Sequence, residues 1–164
     1  MQPADAHKDH PFCHWAPHTP FVHQDQLAVA LIDRRPIHRY HVLVVPREHD
    51  QNFVDLPDEL VAHLSWLTKR LSQAVREVCS PDAISHLSDD DLTGLGFNLV
   101  GHYEIHIIPR FRGDRVCIDW GREAEPSPGL RLGWAAEVRA ACAARQERMD
   151  AGARRAPGAP RDRR

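Results

Sequence analysis

Histidine, glutamate and histidine alternate along His102-Tyr103-Glu104-Ile105-His106, which runs on into Ile107-Ile108-Pro109. In an extended strand alternate side chains share a face, so His102, Glu104 and His106 stand in one row, about 7 Å apart at each step. Tyr103, Ile105 and Ile107 take the opposite face. A row of three ionisable groups has two plain uses: a solvated sheet face, or core histidines satisfied by hydrogen bonds. It also has a chemical use, because imidazoles and a carboxylate can hold a phosphate or a metal ion and move protons. The strand alone leaves these open.

The rest of the composition narrows the field. Twelve histidines among 164 residues cluster in the first fifty positions and again around the triad, which brings metal or phosphate chemistry into consideration. The formal charge of -2 argues against a sequence-independent grip on nucleic acid, so no nucleic-acid partner is expected. No apolar run is long enough to span a bilayer, so no membrane partner is expected either. The polar, His-rich start up to Trp15 reads as lacking a secretory leader. Cys13, Cys79, Cys117 and Cys142 are far apart in sequence, and free thiols in a cytoplasmic protein are the expectation.

The elements that must carry the triad follow from periodicity. Residues 1–25, rich in Pro and His, read as mostly irregular. Leu27 to Ile32 is a short apolar run, hence a buried strand, and Asp33-Arg34-Arg35-Pro36 breaks it. His41 to Val45 is a second strand stopped by Pro46. From Pro57 to Cys79, Leu60, Leu64, Leu67, Leu71, Val75 and Val78 recur at three and four and predict a helix, with Asp55 able to cap it and Pro57 in its first turn. Ala83 to Leu87 and Phe97 to Val100 are weaker strand signals, separated by an acidic loop. Tyr103 to Ile108 is a firm strand. Arg115 to Trp120 reads as another strand, and Trp134 to Met149 as a second helix. Residues 1–150 then form one domain, and 151–164, almost without apolar bulk, a disordered basic tail.

Two separated segments carry a resemblance. HYEIHIIPR is preceded, some sixty residues earlier, by LIDRRPIHRYHVLVVPREH. Together they resemble the histidine-triad (HIT) family, whose pattern is His-x-His-x-His with apolar residues after it, and upstream an Asn or Asp followed by Pro-x-x-x-Gly-His-x-Leu-x-x-Pro. The resemblance covers residues 10 to about 115. It implies an α+β fold: an antiparallel sheet of about five strands with one long and one C-terminal helix. It implies a homodimer in which two sheets join. It also implies a nucleoside phosphate or nucleotide conjugate as partner, with hydrolysis or nucleotidyl transfer at the α-phosphate through a covalent intermediate on the middle histidine.

By the same resemblance Asp33 matches the position that holds ribose hydroxyls, His41 a histidine touching the catalytic relay, and His106 a phosphate contact. The middle position is Glu104 here. Three roles compete for it. The carboxylate attacks phosphorus or activates water; or it marks a site that binds a nucleotide and does little chemistry, as a sensor or sequestering protein; or it is a metal ligand in a metal-dependent phosphoesterase. The leading expectation is an enzyme with Glu104 as catalyst beside His102, His106 and His41. Before the strand the family has Gly-Gln-Ser or Gly-Gln-Thr, where this chain has Phe97-Asn98-Leu99. Asn98 can still donate to a phosphate oxygen, whereas Leu99 cannot replace a hydroxyl. The family glycine ahead of the second-strand histidine is Tyr40.

Many bacterial relatives hold a structural zinc ion with an N-terminal Cys-x-x-Cys, a histidine after the second strand and the first triad histidine. The matching residues here are His10, Cys13, His49 and His102, with one of the two cysteines absent, His7 and His14 as competing ligands, and a simply solvated His-rich N-terminus as the plain alternative. Three imidazoles and a thiolate suit tetrahedral zinc.

Overall fold

The computed structural model describes residue 12 and residues 15–49, 52–89, 101–116 and 125–155. The chain divides into two compact units, Met1–Cys117 and Ile118–Arg164. The first contains β1 (Phe21–Gln24), β2 (Ala28–Ile32), β3 (Val42–Pro46), helix α1 (Asp58–Cys79), β4 (Ala83–Leu87) and β5 (Ile105–Arg110). The strands form one five-stranded antiparallel sheet in the order β1-β2-β3-β5-β4. This is the α+β architecture expected.

Both sheet faces are covered in the middle, which is why β2 and β3 read as continuous apolar runs rather than alternating ones. Ala28, Ala30, Val42, Val44 and Ile107 face α1 and meet Leu60, Leu64, Leu67, Leu71 and Val75. Val29, Leu31, Leu43 and Val45 face the other way, toward Phe12, Trp15 and Phe21. Each large aliphatic side chain buried in this way contributes about 1.5–3 kcal/mol. Val78 is exposed, contrary to the predicted stripe. A step of four from Val75 reaches Cys79, which packs on the core in its place.

Several ends differ from expectation. β1 lies inside the stretch read as irregular, because a four-residue edge strand whose exposure alternates leaves little apolar signal. Asp55 does not cap α1. It closes a 3-10 turn, Phe53–Asp55, and accepts a hydrogen bond from Asn52 Nδ2 at 3.0 Å, while Pro57 stands at the helix start. Asp58 and Glu59 supply the first-turn negative charge that the helix dipole favours. β5 begins at Ile105 and continues to Arg110, since β4 pairs with it out to Ala83↔Arg110. Arg115 and Val116 are irregular rather than strand. Phe97 to Val100 and residues 117–120 lie outside the described residues.

Two polar clusters fix the sheet. Asp25 in the β1–β2 turn accepts from the backbone N–H groups of Leu27 and Ala28 at 2.9 and 2.8 Å through Oδ1. Its Oδ2 takes Nε2 of His23 and Nε2 of His63, each at 2.8 Å, and so ties the turn to α1. Burial pushes the Asp25 carboxyl up, but these bonds outweigh it and hold the group well below the usual carboxylate range. At the other end, Arg110 grips Asp114 with two bonds of 2.7 Å and reaches Ser85 Oγ at 3.2 Å. Gly113, at φ +85°, makes the turn that brings Asp114 back.

The second unit is described by α2, Pro128–Arg155, longer at both ends than the predicted helix. Ser127 Oγ accepts from Leu130 N–H at 3.2 Å and Pro128 fills the first helical position, a start signal present in the sequence. Its Leu130, Leu132, Trp134, Val138 and Met149 are exposed. Among the described residues no helix is long and apolar enough to cross a membrane.

Candidate active site

The triad strand meets β3 side by side, with Leu43 opposite His106 and Val42 opposite Ile107. His41, one residue before β3, therefore sits beside His106 on the face away from α1. Burial is nearly complete: His41 is 1%, His102 0%, Glu104 5% and His106 8% exposed. Polar groups so deeply placed must find partners inside the protein or in a ligand.

Four of the predicted residues form one line. Asp33 Oδ2 lies 3.4 Å from His41 Nδ1. His41 Nε2 lies 2.9 Å from His106 Nδ1, and His106 Nε2 lies 3.2 Å from Glu104 Oε1. The line has a sense, which a backbone group sets. The N–H of Ile37 donates to His41 Nδ1 at 3.2 Å. An amide can only donate, so Nδ1 carries a lone pair and the His41 proton is on Nε2. That proton points at His106 Nδ1. The His106 proton is then on Nε2 and is given to Glu104 Oε1. From the Ile37 amide onward each hydrogen bond donates toward Glu104, while Asp33 lies beside His41 Nδ1 without a hydrogen bond to it.

Electrostatics agree with that protonation. Burial pulls His41 down to about 4, against the upward pull of Asp33 and with a further lowering from His106. His41 is a neutral imidazole near neutral pH. Glu104 Oε2, at the far end, is buried and without a hydrogen-bond partner among the described residues.

Asp33, His41 and His106 have ligand atoms within 4.8 Å of one another, a spacing compatible with a metal ion. Their hydrogen bonding favours the relay. The His41 and His106 nitrogens face each other across one proton, so a common ion requires both rings to turn away.

Asp33 accepts the Arg35 N–H through Oδ1 at 2.6 Å, which fixes the turn after β2. Tyr40 precedes His41 with φ 68°, in the left-handed region where a side chain is strained. The family glycine at that position is the signal for this backbone. The role of the Ile37 amide had no signal, because any residue but proline supplies one.

His102 is outside this line. Its Nε2 donates to Pro46 O at 3.0 Å, which leaves the lone pair on Nδ1, the form a metal ligand takes. The His49 ring stands 5.0 Å away at 87°, and Phe12 lies 5.7 Å off on its edge. His49 and His102, two of the residues in the zinc expectation, thus lie side by side. His10, Cys13 and Asn98 lie outside the described residues.

Comparison with known proteins agrees with this architecture. The HIT domain pattern matches residues 17–113. An uncharacterised HIT-like protein of Mycobacterium tuberculosis is 29% identical over 107 residues, spanning 65% of this chain and 73% of its own. The crystal structure of a HIT family protein from Bacillus subtilis superposes with a TM-score of 0.67 at 24% identity, covering 74% of this chain and 86% of that one. A zinc-bound histidine-triad family protein from Mycobacterium smegmatis superposes with a TM-score of 0.56 at 29% identity, covering 78% and 89%. The domain pattern takes in both the second-strand histidine and the triad strand, and the chain belongs to the HIT family.

Proposed function

We propose that this protein binds a nucleoside phosphate or nucleotide conjugate and acts at its α-phosphate, as a hydrolase or nucleotidyl transferase, with Glu104 in place of the usual histidine. The hydrogen-bond line that converges on Glu104 carries this reading. A position that had merely lost its nucleophile has no need of a buried, oriented relay ending on the replacement. His41 and His106 orient the carboxylate, Asp33 accepts ribose hydroxyls and Asn98 contacts phosphate, while a phosphate contact by His106 would need its Nε2–H shared with Glu104.

The test is turnover on dinucleoside polyphosphates, nucleoside phosphoramidates and adenylylated compounds. Release of the nucleoside monophosphate by the wild type, lost in Glu104→Gln, supports the reading. A folded wild-type protein inert on every compound overturns it. A second reading, a nucleotide-binding protein without turnover, is favoured by Leu99 at the place of the family hydroxyl. Tight AMP binding without hydrolysis identifies it.

The zinc reading assigns a structural ion to His10, Cys13, His49 and His102, and the tautomer of His102 fits it. When bound, the ion cross-links the N-terminal segment to the sheet. The homodimer reading is supported by β4, which is the edge of the sheet on the side away from β5. Beside it an open groove of about 730 Å³ runs between α1 and β4, with Lys69, Ser72 and His86 on its walls. A second copy pairing along β4 would continue the sheet. Free thiols at Cys79 and Cys142 support a cytoplasmic setting.

A further inference from the structure

We propose that the site takes its nucleotide as a magnesium chelate, with Glu104 Oε2 as the protein's ligand to the ion. The proposal rests on the nucleotide reading above and names its substrate class more closely.

The two oxygens of Glu104 differ. Oε1 accepts the His106 proton at 3.2 Å, whereas Oε2 has no hydrogen-bond partner among the described residues, in a side chain 7% exposed. The line from Ile37 through His41 and His106 spends its last donor on Oε1 and brings none to Oε2. Among the described residues no lysine or arginine side chain pairs with Glu104 or Asp33.

A nucleotide phosphate arriving here presents acceptor oxygens and negative charge. Two acceptors with no proton between them repel, and more strongly out of water. A positive group must stand between phosphate and carboxylate, and the described protein supplies none. The ligand therefore brings it. Magnesium fits the single position on offer, because it is commonly held by one or two carboxylates together with phosphate oxygens and retained waters. A metal that needs several nitrogen ligands from the protein does not fit, since the imidazoles nearby are held by each other. Glu104 then serves by holding the ion that offsets the phosphate charge.

ADP titrated calorimetrically into the purified full chain, with and without magnesium chloride, tests this. Magnesium is omitted rather than chelated, so that a structural zinc ion stays in place. The wild type should bind ADP at least tenfold more tightly with magnesium. Glu104→Gln offers an amide donor to phosphate, so its affinity should differ less than twofold between the two buffers. Wild-type affinity equal within twofold in both buffers overturns the proposal even if the variant fails to fold. Magnesium dependence that persists in folded Glu104→Gln overturns the assignment to Oε2. A folded wild type that binds no ADP in either buffer overturns the nucleotide reading, and this inference with it.

Discussion

His41 Nε2 meets His106 Nδ1 at 2.9 Å across 65 residues of chain, and His41 can accept from the Ile37 amide at the same time only while its Nδ1 is unprotonated. Protonation would set an N–H of His41 against the N–H of Ile37. Burial already holds His41 down to about 4. The unfolded chain binds this proton near its ordinary value of 6.5, the folded chain only near 4, so acid favours unfolding. Stability should be level above about pH 6.5 and fall as pH drops from there toward 4, by up to about 3 kcal/mol from this group. His86, also lowered by burial, adds a loss of the same sign. Urea unfolding across that range checks it. His41→Gln should flatten the slope, and a wild type as stable at pH 4.5 as at pH 7 would refute the assignment.

Glu104 carries the chemistry in this reading. Glu104→Gln keeps the shape and should lower turnover at least a hundredfold, with unfolding midpoints close to wild type. Glu104→His restores the family residue and should give a nucleotidyl-protein adduct, trapped by rapid acid quench and seen by mass spectrometry. Unchanged rates in the glutamine variant would remove Glu104 from the mechanism.

Tyr40 sits at φ 68°, where a Cβ is unfavourable. Tyr40→Gly should raise stability by about 1 kcal/mol, less what is lost with the Arg39 guanidinium over the Tyr40 ring. Tyr40→Ala keeps the Cβ and should bring no gain. Equal unfolding free energies for the two variants would mean that the backbone there is unstrained.

Asp25 satisfies two amides and two imidazoles. Asp25→Ala should cost about 3 kcal/mol by loss of charge-assisted bonds. His63→Ala should cost less, because the turn keeps its backbone bonds. Chemical denaturation separates the two. A cost below 1 kcal/mol for Asp25→Ala would show the cluster to be solvated.

The zinc reading predicts about one equivalent of zinc per purified chain by plasma mass spectrometry. Cys13→Ser and His49→Ala should each lower that content, and a chelator should lower the melting temperature of the wild type only. Metal-free wild-type protein with an unchanged melting temperature counts against it.

The strands at the centre of the sheet, the leucine stripe and the face assignment of the triad were legible because their signals are local: period two, period four, and a proline or glycine at an end. Asp33, His41 and His106 were legible through their place in a family pattern. What escaped was non-local. Asp25 reads as an ordinary turn residue, yet one of its partners, His63, comes from α1. β1 is short and half exposed, and its order depends on Leu31, Ala30 and Val29 lying opposite. Val78 failed for a local reason, since spacing alone does not choose between steps of three and four.

The Ile37 amide has one more consequence. The direction of proton flow at this site is written in main chain, and main chain is common to nearly every amino acid. Ile37 itself is half exposed, so its side chain is open to drift. Exchange at this position would leave the polarity of the relay untouched, with one exception. Proline carries no N–H, and Ile37→Pro would free His41 to hold its proton on either nitrogen without altering a single catalytic side chain.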